Sequence, residues 1–165
     1  MNPINCVGVM GKGLALEMKN RFPDMFNKYK ELCDKNLITI GKLWLYHSNI
    51  SNQSILNFPT KQHWKHDSQY EFIELGMKKF LDTYQEKQIQ SIAFPLLGCG
   101  NGKLKKDDVI NIMLKYLSKC KNIVVEIYLI CLAVAMVGGL MMSRLTKLVH
   151  LPVVTAYLVA GLLLG

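Results

Sequence analysis

The sequence predicts an α/β protein, with helices packed around a parallel or mixed sheet, and three observations predict it. Short apolar, strand-like runs alternate with amphipathic segments of helical period through residue 128. One of those runs, Ser91 to Pro95, leads into the glycine-rich turn "LLGCGNGKL" and then a helix. Open α/β sheets take up ligands at the carboxyl ends of their strands, which is where that turn lies. Past residue 128 the alternation stops and an apolar sequence with only Arg144, Lys147 and His150 as chargeable groups takes over. Residues 1–128 and 129–165 are therefore read as separate units.

In chain order, the opening "NPINCVGVMGKG" reads as loop, with no strand ahead of its glycines. A helical pattern starts at Leu14, carried by Leu14, Leu16, Met18 and Phe22. Pro23 starts a second helix, with Met25, Phe26, Tyr29 and Leu32 at helical spacing. Residues 42–48 and 54–59 are strand candidates. Residues 68–85 form an amphipathic helix whose stripe is Phe72, Leu75, Met77, Phe80 and Leu81; Ser68 is the expected N-cap and Glu71 its capping-box partner. A buried strand at 91–95, a helix at 107–120 and a strand at 122–128 complete the unit.

The formal net charge is +8, and 18 of the 20 Lys and Arg residues precede residue 122, so polyanionic partners suit the first unit. The five cysteines at 6, 33, 99, 120 and 131 show no C-x-x-C spacing, which argues against a zinc site and a disulfide scaffold and for reduced thiols in a cytosolic compartment. No metal site is expected. The amino terminus does not read as a cleavable signal.

Two glycine loops carry the chemistry. "PLLGCGNGKL" fails as a Walker A loop, since Leu97 stands where the first glycine belongs and Leu104 where the metal-binding hydroxyl belongs. A strand ending in such a turn before a helix still gathers main-chain N–H groups around an anion. "NCVGVMGKGLALE" places Gly8, Gly11 and Gly13 before a helix, but counting G-x-G-x-x-G from Gly11 ends on Leu16, so the dinucleotide fingerprint is weak. Each loop alone could be a plain tight turn; together they suit a ligand with a diphosphate between sugars. Between them, "NFPTKQHWKH" puts Lys61 at a strand end beside His63 and Trp64, either as a reactive amine or anion clamp or as a solvated lysine. His47 and His66 read as surface residues.

In this order and spacing, "NCVGVMGKGLALE", "NFPTKQHW" and "FPLLGCGNG" resemble the macrodomain family over residues 1–128. The likeness is greatest to the branch holding the bacterial DNA ADP-ribosyl glycohydrolase antitoxin and the hydrolases of glutamate-linked ADP-ribose. The resemblance implies a three-layer α/β/α fold with a mixed sheet that binds ADP-ribose as ligand, with no cofactor. It implies that Asn5, Gly8, Val9, Met10, Gly11 and Gly13 face the distal ribose. Leu97, Gly98, Cys99, Gly100, Asn101 and Gly102 would wrap the diphosphate through main-chain amides, and Lys61 would be the catalytic lysine. Relatives acting on glutamate esters carry an aspartate where Gly102 stands, so modified DNA is the nearer substrate, with modified protein the other. The family pattern begins with a further strand and a Gly-Asp motif that grips adenine. Here the chain starts after them, so a truncated sheet is expected. The family's Trp near position 106 is replaced by Lys105-Lys106.

The second unit has its own likeness. Residues 127–142 form a 16-residue uncharged run, and 151–165 a second apolar run. Residues 129–165 resemble the two amino-terminal helices of a monovalent cation/proton antiporter, which implies a pair of transmembrane-type helices. The tail has no Asp or Glu to couple an ion, so transport by this chain alone is not expected. A membrane partner through residues 127–165 and a cytoplasmic domain that could attach to the inner membrane follow. A join of two incomplete genes within "VVEIYLICL" accounts for the mixture. The functional expectation is an ADP-ribosyl glycohydrolase acting on modified DNA or protein. Two other readings stay open: an antiporter fragment with an incidental soluble leader, and a non-catalytic ADP-ribose reader.

Overall fold

The computed structural model describes residues 1–49, 51 and 53–128. The expected transmembrane-type helices, the antiporter-like stretch and the gene junction beyond Tyr128 lie outside the described residues.

Among the described residues nine elements run in the order β1 (Asn2–Asn5), α1 (Gly13–Arg21), α2 (Pro23–Asp34), β2 (Trp44–His47), β3 (Ser54–Lys61), α3 (Tyr70–Thr83), β4 (Ser91–Pro95), α4 (Lys106–Leu117) and β5 (Val124–Tyr128). The α/β expectation holds, and the sheet is mixed: β1 pairs with β3 in parallel, β2 with β3 antiparallel, and β4 with β5 in parallel. The ladders divide into a three-stranded group, β1-β3-β2, and the pair β4-β5. The Met1 nitrogen donates to Ala93 O at 2.9 Å and links the two groups.

One expectation is corrected at once: a strand does precede the first glycine loop. "NPIN" looked like loop because Asn and Pro are poor strand formers. What makes it a strand is tertiary. Asn2 is fully buried and aligned with Asn57 on β3, and its Nδ2 donates to Asn57 Oδ1 at 2.9 Å. Similarly, β3 does not stop at Pro59 but continues to Lys61. Its pairing with β2 ends at Asn57, so the missing N–H of Pro59 leaves no β2 acceptor unfilled.

β3 is buried on both faces and divides two cores by its alternation. Leu56 and Phe58 pack with Ile73, Met77 and Phe80 of α3 and Val109, Met113 and Leu117 of α4. Ile55 packs on the other side with Met25, Tyr29 and Cys33 of α2. Helices thus cover both faces of the strand, as a layered α/β/α arrangement requires.

The α3 stripe is rotated from the expected one. Ile73, Gly76, Met77, Phe80 and Thr83 are buried, whereas Leu75 is 45% exposed. The reason is Gly76, which turns its bare backbone to the Phe58 ring; a Cβ there would fall inside the ring. Ser68 is not the cap of α3. Gln69 takes that position without a side-chain cap bond, because Ser68 is drawn against the second glycine loop.

Among the described residues no helix is long and apolar enough to cross a membrane. Ile127 and Tyr128, counted in the uncharged run, belong to β5.

Candidate functional site

The first loop is wound around one side chain. Asn5, only 7% exposed, accepts at Oδ1 from the N–H groups of Val7 (3.0 Å) and Val9 (3.3 Å) and donates from Nδ2 to Val9 O at 2.5 Å. The Tyr29 hydroxyl, from α2, lies 2.8 Å from Asn5 O and 2.9 Å from Oδ1. Asn5 therefore spends most of its amide on holding the loop, leaving one Nδ2 hydrogen for a ligand. Gly8, at φ +75°, sits against Lys30 and Cys33 of α2, and the Met10 side chain belongs to the α2 core. Val9 and Gly11 are exposed, and Gly13 opens α1. No side chain caps α1 and no carboxylate stands in its first turn, so its positive end is free for an anion.

The second loop follows β4. Leu97 is fully buried in the α3–α4 core, so only its main chain can meet a ligand. The turn closes through Leu104 N to Gly98 O (3.0 Å) and Lys103 N to Gly100 O (3.1 Å). Among the described residues, the N–H groups of Gly98, Cys99, Gly100, Asn101 and Gly102 donate to no protein acceptor. Consecutive free amides in a tight turn make an anion-binding concavity. Burial raises the Cys99 thiol pKa, with Lys106 opposing, so that sulfur stays protonated and is a poor nucleophile.

The two loops meet. A Cβ on Gly13 would lie 3.5 Å from Asn101 Nδ2, and Lys61 Nζ donates to Asn101 O at 2.5 Å. Asn5 and Lys61 are register partners, so lysine, first loop and second loop share one rim at the carboxyl ends of β1, β3 and β4. Burial lowers the Lys61 pKa; Asp67 opposes that shift and Lys103 adds to it. Lys103 pairs with Asp67 at 3.0 Å across an exposed surface. An open hollow of about 320 Å³ between Ile40–Lys42 and α3 shares no residue with this rim.

Sequence reading missed two supports. Tyr29 shows only helical core spacing, and its hydroxyl contact with Asn5 depends on how α2 packs. Ser68 resembles a helix cap, yet its N–H donates to Gly102 O at 3.0 Å and its buried hydroxyl lies behind Gly98 and Gly102 without a partner. No local signal announces either role. Among the described residues no cluster of His, Cys, Asp or Glu could hold a metal.

Residues 1–113 match the Macro domain family. This chain belongs to the macrodomain family. The macrodomain is 39% identical over 130 residues to a DNA ADP-ribosyl glycohydrolase of Thermus aquaticus, covering 78% of this chain and 36% of the relative. It is 42% identical over 111 residues to one of Mycobacterium tuberculosis, covering 66% and 32%. The chain thus spans about a third of the length of these curated relatives. Among solved structures, the macrodomain of Mycobacterium tuberculosis DarG superposes with a TM-score of 0.74 at 38% identity, over 77% of this chain and 85% of that one. Thermosipho africanus DarTG in complex with ADP-ribose gives 0.72 at 40%, over 76% and 36%.

Proposed function

We propose that this macrodomain binds ADP-ribose and removes it from modified DNA as a glycohydrolase. The observation that carries the reading is the free-amide turn at Gly98–Gly102 set against the uncapped start of α1, with the Lys61 amine between them. The turn would take the diphosphate, the Gly11–Gly13 side the distal ribose, and Lys61 its anomeric carbon. The names of the relatives, DNA ADP-ribosyl glycohydrolases, support the substrate.

In the reaction proposed, the Lys61 amine attacks the anomeric carbon and the bond to the nucleobase breaks. The electron pair leaves with the base, which takes up a proton. Water then hydrolyses the sugar–lysine adduct, returning the amine and releasing ADP-ribose. A lysine whose burial favours the neutral amine suits the attacking role.

Calorimetric titration with ADP-ribose, alongside release of ADP-ribose from a modified oligonucleotide, tests the reading. The parent chain should do both; Lys61→Ala should bind ADP-ribose yet release at least about 100-fold more slowly. Undiminished release by Lys61→Ala would remove the lysine from the chemistry, and a parent chain that binds without release would be a reader.

We also propose that residues 129–165 attach the domain to a membrane, supported by the low charge of that stretch. Sedimentation with membranes that resists alkaline carbonate is the expected result, and recovery in the supernatant would discard the idea.

A further inference from the structure

The turn after β3 is tied to the candidate site at three points. Gln62 O accepts from Cys6 N at 3.3 Å, Lys61 Nζ reaches Asn101 O, and Ser68 N donates to Gly102 O at 3.0 Å. The segment between them therefore starts and ends at the rim. Trp64 lies three residues beyond Lys61, at most about 11 Å along the chain.

That segment is aromatic and cationic, and its indole is half exposed. Trp64 is 49% exposed, so part of its ring faces solvent. His63 stacks on it at 5.6 Å with an interplanar angle of 28°, and Lys65 Nζ lies 5.1 Å from the ring centre. The turn is closed by His66 N to His63 O at 3.1 Å, and Lys65 N donates to His63 Nδ1 at 3.2 Å. The turn that carries the ring is thus closed by its own hydrogen bonds. Asp67, the acid at this edge, is paired with Lys103, so a cationic balance remains.

We propose that the His63–His66 turn is a stacking platform for an unpaired nucleobase of single-stranded DNA flanking the ADP-ribosylated nucleotide. This rests on the glycohydrolase reading, since Lys61 marks the end of the ligand where the DNA would leave. Stacking on an exposed aromatic ring requires an unpaired base, and a nearby lysine suits the adjoining phosphate. A protein substrate offers no such requirement for a π-face beside a cation.

The test uses the full chain with three probes: an unmodified single-stranded oligothymidylate followed by fluorescence anisotropy, free ADP-ribose by calorimetry, and release of ADP-ribose from modified oligonucleotide or peptide. Trp64→Ala should weaken oligothymidylate binding on the order of 10- to 100-fold. Its affinity for free ADP-ribose and its release from peptide should stay within about twofold of the parent, and Trp64→Phe should recover most of the loss. Lys65→Ala should reduce the logarithmic salt slope of oligothymidylate binding by about one. Equal oligothymidylate binding by Trp64→Ala and the parent overturns the proposal. So does a matching loss for free ADP-ribose or peptide, which would assign the ring to the ADP-ribose pocket or to a general acceptor contact. If the parent releases nothing from modified oligonucleotide, the glycohydrolase reading fails, while anisotropy still decides the platform.

Discussion

Asn5 and Lys61 face each other across the parallel pair β1–β3 at a slip in register. Ile4 aligns with Pro59 but Asn5 aligns with Lys61, leaving Thr60 as the extra residue on β3. A bulge of this kind re-aims the side chain that follows it. Here the following residue is the lysine that reaches Asn101 O, while Asn5 opposite organises the first loop. One irregularity in the ladder thus sets the loop brace and the amine side by side.

The lowered Lys61 pKa gives a pH dependence with a definite sign. Burial is its main cause, with Lys103 adding and Asp67 opposing. If the neutral amine attacks, release should rise with pH and level off at an inflection below the ordinary lysine value of about 10.4. Lys61→Arg, charged at every accessible pH, should be as slow as Lys61→Ala. Rates of release between pH 6 and about 10 check this; activity retained by the arginine variant would point to electrostatic assistance instead. For stability, the folded state binds fewer protons than the unfolded one between the two pKa values. The penalty is full below the folded pKa and is relieved as pH rises through that window.

The two glycines of the second loop should separate cleanly. A Cβ on Gly100 meets nothing within 4 Å, whereas one on Gly102 would run into Gly98 O and the Ser68 hydroxyl. Gly102→Ala should cost about 1–3 kcal/mol through overpacking, and Gly100→Ala should leave the melting temperature nearly unchanged. Thermal unfolding of both variants decides it; equal melting temperatures would show that the loop relaxes freely.

Gly76→Ala is expected to destabilise despite alanine's better helix propensity. The propensity gain is about 1 kcal/mol. Against it stands a methyl group placed inside the Phe58 ring, at the centre of the α3–α4 core. The net should be a loss of about 1–2 kcal/mol, read as a lower urea midpoint. A stabilised variant would mean that Phe58 can swing aside without loss.

Tyr29→Phe tests the brace behind the first loop. It removes one buried hydroxyl, with contacts of 2.8 and 2.9 Å, and should cost about 0.5–1.5 kcal/mol. Asn5→Ala should cost more, about 1–3 kcal/mol, since it strips the amides of Val7 and Val9 of their acceptor. Urea denaturation compares the two. A phenylalanine variant that loses more than the alanine one would reverse the assigned order of support.

The sequence by itself determined the alternation of helices and strands, the two glycine loops and the lysine between them, because periodicity and glycine spacing are local properties. It also carried the family, since three motifs in order do not depend on packing. Only the tertiary structure decided that "NPIN" is a strand, since a buried Asn2–Asn57 pair and a parallel neighbour outweigh poor local propensity. It also turned the α3 stripe toward Gly76, withdrew Ser68 from its cap to the back of the second loop, and brought Gly13 beside Asn101. Those outcomes depend on contacts between residues far apart in the chain, where shape and hydrogen-bond completion win over the preferences of any single segment.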